Sequence, residues 1–309
     1  MGDLAFGQSF DALEKGVSHW FIDAIRDGMA PVGTIGTLPW LVSVLVSLPI
    51  PASMNPMVQL VNYSSVLVEK RKENKPDEPD VMSHILEAGQ FFDNKHNEKL
   101  LLDGDARLLV VAGSDTTAAT LTYVTYQIAK DPSIAQRLRD ELAEHNMRND
   151  DSLTLVAMAH LPFLNAIINE TLRLYPPVPG GVYRHSPKGG INLNGHFIPE
   201  GCVVVTPQHV IQRSPKAFAK PDEFIPERWT TQTEMILNKD AFFPFSLGRY
   251  GCIGKQLAYN ELRNVISRLV LEFDVAFAKG EDGSRLLYET KDQFTLGLGG
   301  LNVVFTSRE

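Results

Sequence analysis

One of the two cysteines of this chain, Cys252, stands in the stretch FSLGRYGCIGK (residues 245–255), among Gly248, Gly251 and Gly254. Sulfur acts as a nucleophile or a metal ligand in its thiolate form. Leu262, Val265, Ile266 and Leu269 follow at helical spacing, so a helix is expected to begin beside the cysteine. The N-terminus of a helix carries partial positive charge and free N–H groups, and both favour an anionic sulfur. Glycines let the backbone come close to whatever that sulfur faces. The loop therefore suits a thiolate held against something flat or bulky. Three roles are compatible with it. A structural cysteine would not need the glycines. A nucleophile would need a partner: the phosphatase pattern wants Arg six residues on, where Ala258 stands, and the eight histidines do not single out a papain-type base. The third role is an axial ligand to haem iron.

Other polar groups sit where chemistry would use them. AGSDTT (residues 112–117) interrupts an apolar run, and Ser, Asp and Thr are poor helix formers that prefer local hydrogen bonds. Gly113, Asp115 and Thr116 are either ordinary outward-facing residues or part of a widened helical turn whose polar groups work. Glu170 and Arg173 are three apart and hence neighbours on a helix, opposite the stripe of Leu164, Ile168 and Leu172. That position suits an exposed pair. GLGG (residues 297–300) lacks the third glycine and the following helix of a dinucleotide-binding loop, and is expected to form a turn near Phe294 and Leu296.

The elements that must hold these residues are mostly helical, with strands clustered late. DPSIAQRLRDELAEH places Asp131 at the N-cap, Pro132 at the first helical position, and Ile134, Leu138 and Leu142 on one stripe. FLNAIINETLRLY puts Leu164, Ile167, Ile168 and Leu172 on one face and is ended by Pro176 and Pro177. PPVPGGVYR reads as an extended, bending strand. INLNGHFI predicts a hairpin turning at Asn194-Gly195, and CVVVT and LNVVFTS predict further strands. The fold class expected is mainly α with a small β subdomain.

Composition narrows the function. The chain has 309 residues, 44% of them hydrophobic, enough for a sizeable core. A net charge of −8 argues against nucleic acid as a partner. EKRKENKPDEPD (residues 69–80) reads as a solvated connection. Two cysteines without a CxxC pair suggest a reducing compartment. LPWLVSVLVSLPI (residues 38–50) is too short to cross a bilayer and reads as a core segment or a membrane-surface contact. The start of the chain carries neither a signal-peptide pattern nor a myristoylation motif.

Four stretches together resemble the cytochrome P450 family, with wording closest to fungal members. Phe245, Gly248, Cys252 and Gly254 fill its haem-binding signature. AGSDTT resembles the oxygen-activation motif of its long central helix, ETLR (residues 170–173) its Glu-x-x-Arg, and FIPERW (residues 224–229) its Pro-Glu-Arg segment. The order of the four matches the family's over most of the chain.

The resemblance implies the later part of the P450 fold: residues 1–309 as a single partial domain, lacking the N-terminal anchor and the early helices. It implies haem b with iron bound by Cys252, and a haem-dependent monooxygenase acting in fungal secondary metabolism. Such an enzyme inserts one oxygen atom from dioxygen into an apolar organic substrate. Electrons would come from NADPH through a separate flavoprotein reductase, docked with help from Arg249 and Lys255. Thr116 and Asp115 would handle protons for oxygen activation. Arg184 would bind a haem propionate. Glu170, Arg173 and Arg228 would form a buried network, and Val111, Ala112, Val178, Val182 and Leu296 would line the substrate pocket. The full-length parent would sit on the cytosolic face of the endoplasmic reticulum membrane. Tyr250 departs from the family's usual basic residue two before the cysteine, though its hydroxyl could serve a propionate. Two alternatives are a catalytically silent fragment and a haem-thiolate isomerase or dehydratase that needs no reductase.

Overall fold

A computed structural model of the chain describes residues 2–7, 16, 44, 56–74, 79–89, 94–147 and 152–308. Apart from Val44, the apolar stretch at 38–50 lies outside them. Two compact bodies are distinguished, Met1–Asp115 and Thr116–Glu309. The described elements are mainly helical with a small β region.

In the first body, α1 (Gly2–Phe6), α2 (Pro56–Glu73), α3 (Val81–Gly89) and the start of α4 (Lys95–Lys130) bury Phe6, Leu67, Val68, Met82, Leu102, Ala106 and Val110. In the charged stretch at 69–80 the described residues are exposed except Arg71, which is buried, and Asp80, which is half-buried. The first residues of the stretch continue α2, and Arg71 turns inward to pair with Asp80, Nε to Oδ2 at 2.7 Å and Nη2 to Oδ1 at 2.9 Å. Arg71 also donates to the Asn74 carbonyl and to Ser83 Oγ, so little of the guanidinium is left unpaired. Asp80 and Ser83 cap α3 reciprocally: Ser83 N–H donates to Asp80 Oδ1 at 2.7 Å, and Asp80 N–H to Ser83 Oγ at 3.1 Å.

The second body holds the rest of α4, then α5 (Ser133–Glu144), α6 (Leu155–Met158) and α7 (Pro162–Leu174). Ile134, Leu138 and Leu142 are buried as their spacing predicts. α5 begins one residue later than expected, but the Asp131 carboxylate does accept the Ser133 N–H at 3.0 Å. Residues 175–180 bend and turn, so the strand expected through PPVPGGVYR is reduced to β1 (Tyr183–His185). β1 pairs antiparallel with β4 (Val203–Val205), and β2 (Ile191–Leu193) with β3 (His196–Ile198). The β2–β3 turn has positive φ at Asn194 (48°) and Gly195 (84°), the conformation an Asn-Gly hairpin requires.

After α8 (Gln208–Ile211) and a run of short 3-10 turns comes α9 (Lys255–Glu272). β5 (Phe273–Phe277) and β8 (Val303–Ser307) pair antiparallel, and α10 (Ser284–Glu289) precedes the hairpin of β6 (Lys291–Gln293) and β7 (Thr295–Gly297). GLGG runs on from that hairpin without a helix behind it. α5, α7, α9 and β5 share one core around Leu138, Ile167, Leu262, Ile266 and Val275. The buried face of α9 departs from its apolar spacing: Val265 is exposed, while Arg263 and Ser267 are buried with Leu262, Ile266 and Val270. Arg263 can go inside because its Nε donates to Asn165 Oδ1 on α7 at 2.9 Å.

The Arg71–Asp80 pair makes the first body acid-sensitive. Burial alone would raise the Asp80 carboxyl, but Arg71 and Ser83 hold it below the usual carboxylate range. Its stabilising contribution is complete above the unfolded value of about 4 and is lost as pH falls through the lower folded value. Asp80→Asn leaves Arg71 without its charge partner and should cost about 3–5 kcal/mol at neutral pH. Thermal unfolding followed from neutral pH to about pH 2 should fall less steeply in the variant than in the parent. Equal slopes would exclude Asp80 as a source of the acid sensitivity.

Candidate functional site

The loop between Phe245 and α9 is tied across its base. The Cys252 N–H donates to the Phe245 carbonyl at 2.8 Å, and the Gly251 N–H to the Gly248 carbonyl at 3.0 Å. Ser246 and Gly248 both take positive φ (58° and 74°) to make the turn. Glycine is costless at such an angle and serine is not, so the surroundings must hold Ser246 there. A Cβ on Gly251 would sit 3.2 Å from the Gly248 carbonyl oxygen, and one on Gly254 would come within 3.9 Å of the Cys252 sulfur. Gly254 is the N-cap of α9 and supplies no side-chain cap, so the first amides of the helix stay open beside the cysteine. Cys252 is exposed, and so are the apolar side chains around it, Leu247, Tyr250 and Ile253.

Arg184 reaches this loop from β1. Its Nη2 donates to Ser246 Oγ at 3.4 Å, and its guanidinium carbon lies 5.4 Å from the Tyr250 ring centroid. Arg249 lies 5.8 Å from the same ring. The tyrosine that replaces a basic residue in the signature is thus flanked by two cations.

Glu170, Arg173 and Arg228 are fully buried, which overturns the exposed reading of the first two. Glu170 Oε1 accepts from Arg173 Nη2 (2.8 Å), Arg228 Nε (2.9 Å) and the Ile225 N–H (2.9 Å). Its Oε2 accepts from Arg173 Nε (2.9 Å) and Trp229 Nε1 (2.9 Å). The remaining guanidinium donors find carbonyls: Arg173 those of Gln212, Pro221 and Glu223, and Arg228 those of Ala219 and Lys220. The amphipathic pattern failed here because the polar side of α7 is covered by residues 212–229, distant in sequence.

Two members of this arrangement were missed. Trp229 stood next to a recognised motif, and its indole N–H was the available signal. Gln212 carried no signal. It donates through Nε2 to the Leu172 and Arg173 carbonyls and accepts the Phe243 N–H at 3.2 Å, two residues before Phe245. Network and cysteine loop are therefore linked through one side chain.

The other expected residues are placed less tellingly. α4 runs as unbroken α-helix through residues 112–117, without a widened turn. Val111, Ala112 and Asp115 belong to the first body and Thr116 to the second. The Thr116 carbonyl accepts the Thr120 hydroxyl at 2.9 Å. The Glu261 carboxyl on α9 is pushed up by burial, an effect that the neighbouring Thr117 opposes. Leu296 lines a cavity of about 590 Å³ with Tyr123, Tyr175, Pro179, His209 and Thr290; Val178 and Val182 do not line it. Both valines are partly buried. Among the described residues no group of three or more His, Cys, Asp and Glu is arranged to hold a metal ion.

A family model described as Cytochrome P450 matches residues 1–298. Among the relatives, cytochrome P450 monooxygenase notG' of Aspergillus versicolor is 40% identical over 308 residues, covering 100% of this chain and 56% of its own. Tryprostatin B 6-hydroxylase of Aspergillus fumigatus is 37% identical over 309 residues, with 100% and 55% covered. The chain thus spans about half the length of the curated relatives it matches. A crystal structure of a cytochrome P450 (CYP102L1) superposes with a TM-score of 0.75 at 20% identity, over 99% of this chain and 65% of that one, and so shares the fold.

Glu170→Ala would leave two buried guanidiniums without their carboxylate, a loss of about 3–5 kcal/mol. Denaturant unfolding should show it, and the fluorescence of Trp229 should change before the helices melt. A loss below about 1 kcal/mol, the worth of an exposed pair, would contradict the burial of this network.

Proposed function

The chain belongs to the cytochrome P450 family, and from that premise we propose that it serves a haem-thiolate monooxygenase with Cys252 as the axial ligand. The observation that carries this is the exposed thiol at the open N-terminus of α9, inside a loop closed by its own N–H bond to Phe245. The surroundings fit a haem. Gly254 adds no side chain beside the sulfur, Leu247 and Ile253 offer apolar contact, and Arg184, Tyr250 and Arg249 offer charge and hydrogen bonds to propionates. That residues 1–309 form one domain is part of the same proposal.

Bound haem would supply dioxygen activation and insertion of one oxygen atom into an apolar organic substrate. The chain's own contribution is positional and electrostatic. Cys252 presents its sulfur to the positive end of α9, which steadies an anion there. Gly248, Gly254 and Phe245 keep the loop in its turn. Thr116 Oγ1 would hand on protons delivered by the Asp115 carboxyl. In the second body Val178, Val182 and Leu296 would supply apolar walls for the substrate. Arg249 and Lys255 are exposed near the sulfur and would meet the acidic face of a flavoprotein reductase that passes electrons from NADPH. Among the described residues no helix is long and apolar enough to cross a membrane. The cytosolic face of the endoplasmic reticulum is the location that accompanies this reading.

Reduced, haem-loaded protein under carbon monoxide should show the long-wavelength band of thiolate ligation. Cys252→Ser should abolish it, and Cys202→Ser should leave it unchanged. The reverse result would reassign the ligand. Thr116→Ala should keep haem but lower product formed per NADPH on the order of 10²-fold, the scale of a lost proton transfer, with peroxide released instead. Full coupling in that variant would remove Thr116 from the proton path.

A further inference from the structure

The cysteine loop has little packing of its own. Leu247 through Tyr250, Cys252 and Ile253 are exposed, and the side chain that anchors the loop to the second body's core is Phe245. Its ring meets that of Tyr259 at 5.2 Å between centroids and 40° between planes. Tyr259 is on α9, and its hydroxyl donates to Asn169 Oδ1 on α7 at 2.7 Å. Asn169 immediately precedes Glu170. The Arg263 guanidinium carbon lies 5.0 Å from the Tyr259 ring, and the Lys255 ammonium 5.9 Å from the Phe245 ring. Cation, ring, ring and cation thus form one line of contacts, favourable at each step.

We propose that Tyr259 is a positioning residue for the thiolate. It ties the Phe245 end of the cysteine loop to α7, and so fixes the Phe245 carbonyl that holds the Cys252 N–H. The inference rests on the reading of Cys252 as haem ligand and adds the residue that steadies it. Two attachments do the work: the hydroxyl to Asn169 fixes where the Tyr259 ring lies, and the ring fixes Phe245. Burial pushes the Tyr259 phenol up to about 12, against the opposing Arg263 charge, so it remains a hydrogen-bond donor at any working pH.

The experiment follows the thiolate-type carbon monoxide band and the far-ultraviolet helix signal together in haem-loaded protein under mild denaturant. Tyr259→Phe keeps the ring and removes the hydrogen bond; Tyr259→Leu removes both. Loss of the band should be about two- to tenfold faster in Tyr259→Phe, the factor that one hydrogen bond commands. It should be faster again in Tyr259→Leu, by the similar worth of an aromatic pair. Asn169→Leu should match Tyr259→Phe, and the two together should be no worse than either alone. Band loss should precede helix loss in these variants, because the loop detaches while the body stays folded.

Unchanged band lifetimes in both Tyr259 variants would overturn the proposal, and so would band loss coincident with helix loss throughout. The unsubstituted protein separates the two claims. No thiolate band there overturns the haem-ligand reading and this inference with it, whereas a normal band indifferent to Tyr259 overturns this inference alone.

Discussion

A single carboxylate, Glu170, is the point on which the second body depends. Burying a charge is costly unless it is paired and its lone pairs are filled, and here donors from two arginines, an indole and a backbone amide converge on it. Two guanidiniums against one carboxylate would leave positive charge inside. The carbonyls of residues 212, 219, 220, 221 and 223 answer it with partial negative charge. Those carbonyls can meet the arginines only if residues 212–229 wrap over α7, so the network dictates the course of a segment with little regular structure. Charge-assisted bonds of fixed geometry specify that course better than apolar contact could.

The helix that carries Glu170 is held at both ends by side chains from elsewhere. At its start, the Glu141 carboxylate accepts the Phe163 and Leu164 N–H groups at 2.6 and 2.9 Å, filling two of the open amides. At its end, Gln212 donates to the Leu172 and Arg173 carbonyls, and Arg213 donates to the Leu174 carbonyl. Arg139 does the same work for α9 and β5, donating to the Val270 and Phe273 carbonyls while paired with Asp274. From this rigid frame the path to the cysteine is short. Gln212 accepts the Phe243 N–H, the Trp229 ring packs on Phe242 at 4.5 Å, and Phe245 holds Cys252.

What the sequence discloses is what local chemistry decides. Gly248 at its positive φ, the Asn-Gly hairpin and the stripe of α5 each follow from backbone freedom or periodicity, and each is found in place. The burial of Glu170 and Arg173 was legible only through resemblance to a family, since their own spacing argued for an exposed pair. The same limit hid Arg71, buried by pairing with Asp80 across a charged connection, and Arg263, buried by Asn165. In each case a long polar side chain is taken inside by a partner that periodicity cannot name. Gln212 and Tyr259 were invisible for a related reason, because their roles consist of contacts to residues 31 and 90 positions away.

The sulfur of Cys252, presented by the frame around Glu170, is the proposed iron ligand. The most direct measurement is the iron–sulfur stretching vibration of haem-loaded protein in which Cys202 is replaced by alanine and the remaining cysteine carries heavy sulfur. An iron–sulfur band that moves to lower frequency with the heavier isotope is expected. A haem bound with no isotope-sensitive band would contradict that assignment.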